Sequence, residues 1–291
     1  EWARLVHELG LRYVEAGADT EHDPLYLGPD YYRRWLDLVR EAERTWDLRV
    51  ANLYSGHGTY ATLGLAHWDR SAATHLRDHW LKAVIDHAAA LDAGLGFFMH
   101  AFPQGVLDEP AAYHAARRQL VEDLADVTLH AAKRMSRPIG LEQMYAPHQI
   151  PWTIRGTQTL LDEVSRRARE AAGTADRLLG GSTTGKAALS MPSADTVDSA
   201  VDAMREGRWQ QVPWLGASAA YAAVREAGRD ASEGSRAAAR DKVLESAAAH
   251  PYLFAEATDA DPYEWLRRLG PYSPIVHLQQ TDGKRSGHLP F

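Results

Sequence analysis

The chain has no cysteine among its 291 residues. That excludes disulfides, thiolate zinc sites and cysteine nucleophiles, and it fits an expected cytoplasmic location. No apolar run approaches the roughly 20 residues that a membrane helix requires, so no membrane partner is expected. Basic charge is not in excess: 32 Lys and Arg stand against 39 Asp and Glu, for a formal net charge of -7. The cations are also spread along the chain, which argues against a nucleic-acid footprint. No Gly-x-Ser-x-Gly elbow occurs in a strand-turn-helix context, so serine-based acyl transfer has little support. Glu1-Trp2-Ala3 opens directly on an amphipathic helix with no signal-peptide pattern, and a first residue other than Met suggests that residues precede it.

What is present is ordinary for a globular chain: 45% hydrophobic and 24% charged residues. The mass of 32.3 kDa suits one large α/β domain or two small ones. Helical and strand-like periodicities alternate. Helices are predicted over 2–9, 29–46, 69–93, 109–135, 156–172 and 261–269, and strands over 11–16, 49–54, 94–99, 139–144 and 274–278. Repeated helix-then-strand order implies a parallel sheet with helical crossovers. A barrel and a doubly wound open sheet both satisfy that pattern. Residues 1–291 are expected to form a single domain, with a helical excursion at about 173–260 and an extended segment at 251–256 inside it.

Several predicted strands end in polar residues: Glu15, Ser55-Gly-His57, His100 and Glu142. In a barrel such positions share the rim where active sites are assembled. Glu142 is the strongest candidate, because a carboxylate ending a buried strand must bind a metal, meet a cation or exchange protons. A helix cap or an arginine pair is its plainer reading. His148 follows six residues later. His277 and Gln279 alternate on one face of the last predicted strand, although a core histidine is the simpler reading of His277 alone. Glu142 and His277 together suit a divalent ion such as Mn²⁺, Mg²⁺ or Zn²⁺. Trp152 could wall a sugar face or pack its own loop. The run Gly180-Gly-Ser-Thr-Thr-Gly185-Lys186-Ala187 nearly spells a nucleotide phosphate loop, but Ala187 replaces the magnesium-binding hydroxyl. Lys186 in a glycine-rich turn remains able to hold one phosphate of a small substrate.

Four segments taken together carry a resemblance: Val14–Asp19 (VEAGAD), Asn52–His67 (NLYSGHGTYATLGLAH), Glu142–Thr153 (EQMYAPHQIPWT) and Asp261–Gly283 (DPYEWLRRLGPYSPIVHLQQTDG). They resemble the sugar-phosphate isomerase/epimerase branch of the xylose-isomerase-like barrels, and within it the erythritol-pathway enzymes that epimerise erythrulose 1-phosphate at C3. The resemblance implies an α/β barrel of the TIM type and an isomerase or epimerase acting on a short-chain sugar phosphate. In that family a divalent metal holds the substrate's carbonyl and adjacent hydroxyl oxygens. A carboxylate removes the proton α to the ketone, and a second one returns it to the opposite face or to the neighbouring carbon. Carried over, Glu142 is a metal ligand that doubles as the base, and His277 is another ligand. His57, His100, His148, Trp152, Gln279 and Lys186 then surround the substrate.

The chain departs from the family in three places. The family's Asp-x-Gly-His strand has Leu179-Gly-Gly-Ser182 in its place, without a carboxylate or imidazole. The family's first and last strands, the last carrying a metal-binding glutamate, have no counterpart in these residues. A non-catalytic sugar-binding protein on the same barrel is therefore the alternative reading. Expected partners are a small sugar or sugar phosphate, with a homo-oligomer left open.

Overall fold

The computed structural model describes residues 1–55, 64–99, 101–144, 146–172, 178–180, 182–183, 189–230 and 232–277. Its first half repeats one unit. Helix α1 (Trp2–Glu8) leads to strand β1 (Tyr13–Gly17), which runs into a single turn, α2 (Ala18–Glu21). Helix α3 (Pro29–Trp46) begins with proline at its first position, where the missing N–H costs nothing, and ends on Asp47 in the left-handed region at φ 47. Strand β2 is Arg49–Ser55.

The next crossover is nearly continuous. It comprises α4 (Arg70–His75), a π-helical turn at Leu76–Leu81 and α5 (Lys82–Leu91), and it delivers β3 (Gly94–Phe97). Asp69 caps α4 by accepting from the Ser71 N–H at 2.8 Å. A short turn α6 (Gln104–Leu107) precedes the long α7 (Pro110–Arg134), and then come β4 (Ile139–Leu141) and α8 (Ile154–Ala172). Strands β5 (Leu178–Gly180) and β6 (Ser182–Thr183) flank Gly181.

Helices α9 (Ala194–Arg205), α10 (Ser218–Asp230) and α11 (Glu233–Ala249) follow, packed on one another around Val197, Val201, Leu215, Val224 and Val243. Residues 251–256, expected to be extended, begin with a 3₁₀ turn at Pro251–Leu253, set by proline at its first position. Helix α12 (Pro262–Leu269), capped by Asp261, leads to β7 (Val276–His277).

Strands β1 to β5 pair in parallel and strictly in chain order, and β6 pairs in parallel with β7. A doubly wound sheet would reverse its order at a switch point. Monotonic order is that of a barrel wall. Leu178–Gly180, a poor strand by sequence, is held by backbone pairing to Ile139–Leu141. Both stretches flanking Gly181 are extended and sheet-paired, whereas a phosphate loop leaves the sheet at its first glycine.

The two faces of the wall differ in chemistry. Val50, Leu53, Leu95, Phe97, Ile139 and Leu141 point outward into the main core with Val84, Ile85, Leu120 and Leu124 of the crossover helices. A bulge places Ala51 opposite the step from Val14 to Glu15, and this changes the parity of β2. Val50 and Leu53 can therefore both face the helices, while Asn52 and Tyr54 face the other way. Among the described residues no helix is long and apolar enough to cross a membrane.

Candidate functional site

The inward face carries Glu15 on β1, Asn52 and Tyr54 on β2, Gly94 and Gly96 on β3, and Gly140 on β4, with Glu142 one step beyond β4. These residues line a chamber of about 230 Å³. The glycines are what leave it open. A Cβ on Gly94 would stand 2.6 Å from Asn52 Oδ1, and one on Gly96 would stand 3.2 Å from the Tyr54 ring. Asn52 is buried and held in place, donating from Nδ2 to Glu15 Oε1 at 2.5 Å and to the Leu53 carbonyl at 2.8 Å.

Glu142 is half-buried and sits where expected, at the C-terminal end of β4. Its N–H donates to the Phe97 carbonyl at 2.7 Å, which continues the ladder one residue past the strand and aims the side chain to the face opposite Leu141. His277 lies on β7, with the β5–β6 run between it and β4.

The donor chemistry fits a hard or borderline divalent cation, since a carboxylate and an imidazole are suitable ligands. Among the described residues no three His, Asp or Glu side chains converge as a metal cluster. The side chain of His277 and all of His57, His100, Lys186 and Gln279 lie outside the described residues.

His148 and Trp152 are placed apart from the chamber. His148 Nε2 lies 3.1 Å from Gln104 Oε1, and its carbonyl accepts from the Phe102 N–H at 2.8 Å, so it ties α6 to the loop after β4. Burial holds its imidazole below the usual histidine range. Trp152, only 4% exposed, belongs to the main core and lines a separate cleft outside the barrel wall. Asn52 and Tyr54 are the chamber residues that sequence reading passes over. Their signal is alternation with Leu53, together with the facing Gly94-x-Gly96.

A buried imidazole pair stands behind the same rim. His22, just after α2, places Nδ1 3.0 Å from Nδ1 of His87 on α5. Tyr32 stacks on His87 at 3.5 Å, and Trp35 lies against His22 at 4.2 Å. Burial pushes His22 down to about 4 and His87 down to about 3, with repulsion between the rings a further cause for His87. Both rings are neutral near pH 7 and share one hydrogen bond.

No protein-family model matches the chain, and neither does any curated protein. Solved structures do. A Rhodospirillum rubrum protein named for xylose isomerase superposes with a TM-score of 0.63 at 16% identity, over 97% of this chain and 72% of that one. A D-psicose 3-epimerase from Clostridium cellulolyticum H10 gives 0.46 at 10% identity, over 88% and 93%. A D-psicose 3-epimerase solved in the presence of D-fructose gives 0.47 at 14% identity, over 70% and 62%. At such identities the likeness is one of fold. The chain has the fold of an α/β barrel, shared with the Rhodospirillum rubrum protein.

Proposed function

We propose that the protein is a sugar isomerase or epimerase acting on a short-chain sugar phosphate, with a tetrulose phosphate epimerised at C3 as the form suggested by the motif resemblance. The observation that carries this reading is Glu142 at the C-terminal rim of a parallel barrel wall, lining a chamber kept open by Gly94, Gly96 and Gly140. A chamber of about 230 Å³ suits a small sugar rather than an oligosaccharide.

In this reading Glu142 removes the proton α to the substrate carbonyl. Delivery of a proton to the opposite face by a second acid would invert the centre, whereas return of the proton by Glu142 to the neighbouring carbon would exchange ketose for aldose. A divalent cation held by Glu142 and His277 would supply Lewis-acid polarisation of the carbonyl. The chain's own contribution is the inward face of the wall, with Tyr54 and the Glu15–Asn52 pair as its polar groups. His57, His100, Gln279 and Lys186 are proposed as the substrate shell, with Lys186 on the phosphate.

The test is exchange of solvent deuterium into C3–C5 ketoses and their phosphates, measured with and without added Mn²⁺, Mg²⁺ or Zn²⁺. Wild type should exchange, and Glu142→Gln should lose about 10²–10⁴ in rate while keeping its circular dichroism and melting temperature. Saturable sugar binding without exchange would replace the enzyme reading with a sugar-binding one. Full activity in Glu142→Gln would remove Glu142 from the chemistry.

A further inference from the structure

A cleft of about 710 Å³ between the N-terminal halves of α7 and α8, roofed by residues 251–259, plays no part in the proposed chemistry. No residue lines both this cleft and the Glu142 chamber. Its volume is in the range of small-molecule sites, roughly 300–1,000 Å³.

One wall is aromatic and rigid. Tyr113 and Tyr252 stack at 3.8 Å with their planes 6° apart, and the Tyr252 hydroxyl is engaged by donating to the Leu107 carbonyl at 2.9 Å. What Tyr252 offers a ligand is therefore its ring.

The charged groups divide by sign. Both acids of the lining are committed to backbone amides. Asp259 accepts from the Ile154 N–H at 2.7 Å through Oδ1 and from the Glu256 N–H at 2.9 Å through Oδ2. The Glu256 carboxylate in turn accepts from the Asp259 N–H in a capping box. The cations are less engaged. Arg117 gives only Nη1 to Glu163, at 2.7 Å, out of five N–H donors. Arg155 is exposed and makes no ion pair among the described residues. An aromatic wall beside guanidinium donors, with the neighbouring carboxylates already satisfied, complements a flat molecule carrying negative charge.

We propose that this cleft binds a planar organic anion, a ring bearing one carboxylate, sulfonate or phosphate group, at a site separate from the Glu142 chamber. The ring lies against the Tyr113–Tyr252 wall, and the anionic group meets Arg155 and the outer donors of Arg117.

The probe is 8-anilinonaphthalene-1-sulfonate, titrated into the full chain by fluorescence and by calorimetry, with benzoate and AMP as competitors. The expected result is one saturable site per chain whose affinity falls with added salt. Arg155→Glu should weaken it at least tenfold, and Thr159→Trp, which fills the cleft from α8, should block it. Both positions are exposed, and an acidic residue in the first turn of a helix does not harm it, so both variants should keep the wild-type melting temperature. Glu142→Gln should leave affinity unchanged. Competition by benzoate marks a carboxylate ligand, and competition by AMP a phosphate one. Binding that ignores both Arg155→Glu and Thr159→Trp overturns the proposal, as does binding lost in Glu142→Gln or uptake of several probes per chain.

Discussion

Acid should destabilise this protein through the His22–His87 pair well before its carboxylates titrate. The two rings are neutral in the fold, pushed down to about 4 and about 3 by burial, while in the unfolded chain each returns to about 6.5. The unfolded state then binds more protons below pH 6.5, so stability that is full above that pH is lost as pH falls. At pH 5 the loss is about 2 kcal/mol for each ring, or about 4 kcal/mol for the pair, taking roughly 1.4 kcal/mol per pH unit across 1.5 units. The groups around the pair do not offset this. Tyr32 and Trp35 are uncharged, and Arg40 and Asp86, which act on Tyr32, have opposite signs. Among the described residues His22 Nε2 is buried without a partner, so a proton placed there finds no acceptor among them. Urea midpoints between pH 7.5 and 5.0 measure the effect. His148, also lowered by burial, adds to the slope with the same sign, so the double variant His22→Phe/His87→Leu isolates the pair. That variant should flatten most of the dependence. A midpoint that does not move between pH 7.5 and 5.0 in the wild type, or imidazole NMR signals of both rings titrating near 6.5, would refute the reasoning.

Two packing predictions follow from equally local geometry. Gly94→Ala should cost about 1–3 kcal/mol, because its Cβ would meet Asn52 Oδ1 at 2.6 Å and Asn52 is tethered to Glu15 and Leu53; Gly105→Ala, with nothing within 4 Å, is the neutral control in the same melts. Asp123→Asn should cost about 3 kcal/mol or more. Its 1%-exposed carboxylate receives Arg70 at 2.8 Å and Arg77 at 2.9 Å, whereas Glu170→Gln, breaking an exposed pair with Arg166, should stay within about 0.5 kcal/mol. Equal effects at Asp123 and Glu170 would show that burial does not govern these pairs.

The barrel wall was readable from the chain because its outward face obeys a simple rule. Leu53, Leu95, Phe97, Ile139 and Leu141 alternate with small or polar residues, and several helices between the strands carry their own start signals, such as Asp69, Pro110 and Asp261. Pro29–Trp46 matches its predicted span because proline fixes its start and a left-handed Asp47 its end. Leu178–Gly180 carries no such signal. Three residues are too few to show a period, and that strand exists because the exposed ladder of Ile139–Leu141 gives it a partner. The same limit applies at 251–256, where proline starts a turn that apolar content alone made look extended.

The site was legible only where a residue type is anomalous for its place. Glu142 stands out because a carboxylate at the end of an apolar strand demands an explanation. Asn52 and Tyr54 do not, since either is ordinary in a half-buried strand, and only the facing glycines reveal that they border a space. Glycine at 94, 96 and 140 would by itself suggest weak strands. Next to Asn52 and Tyr54 those glycines are better understood as the removal of side chains from one side of a wall whose other side is packed with large ones. His148 shows the converse case. A histidine six residues after a catalytic candidate invites a role beside it, yet its ring and carbonyl are engaged in holding α6 against the β4–α8 loop. Proximity in sequence does not fix the face on which a loop side chain lands, whereas strand alternation does, and this is why Glu142 is placed in the chamber while His148 and Trp152 fall outside it.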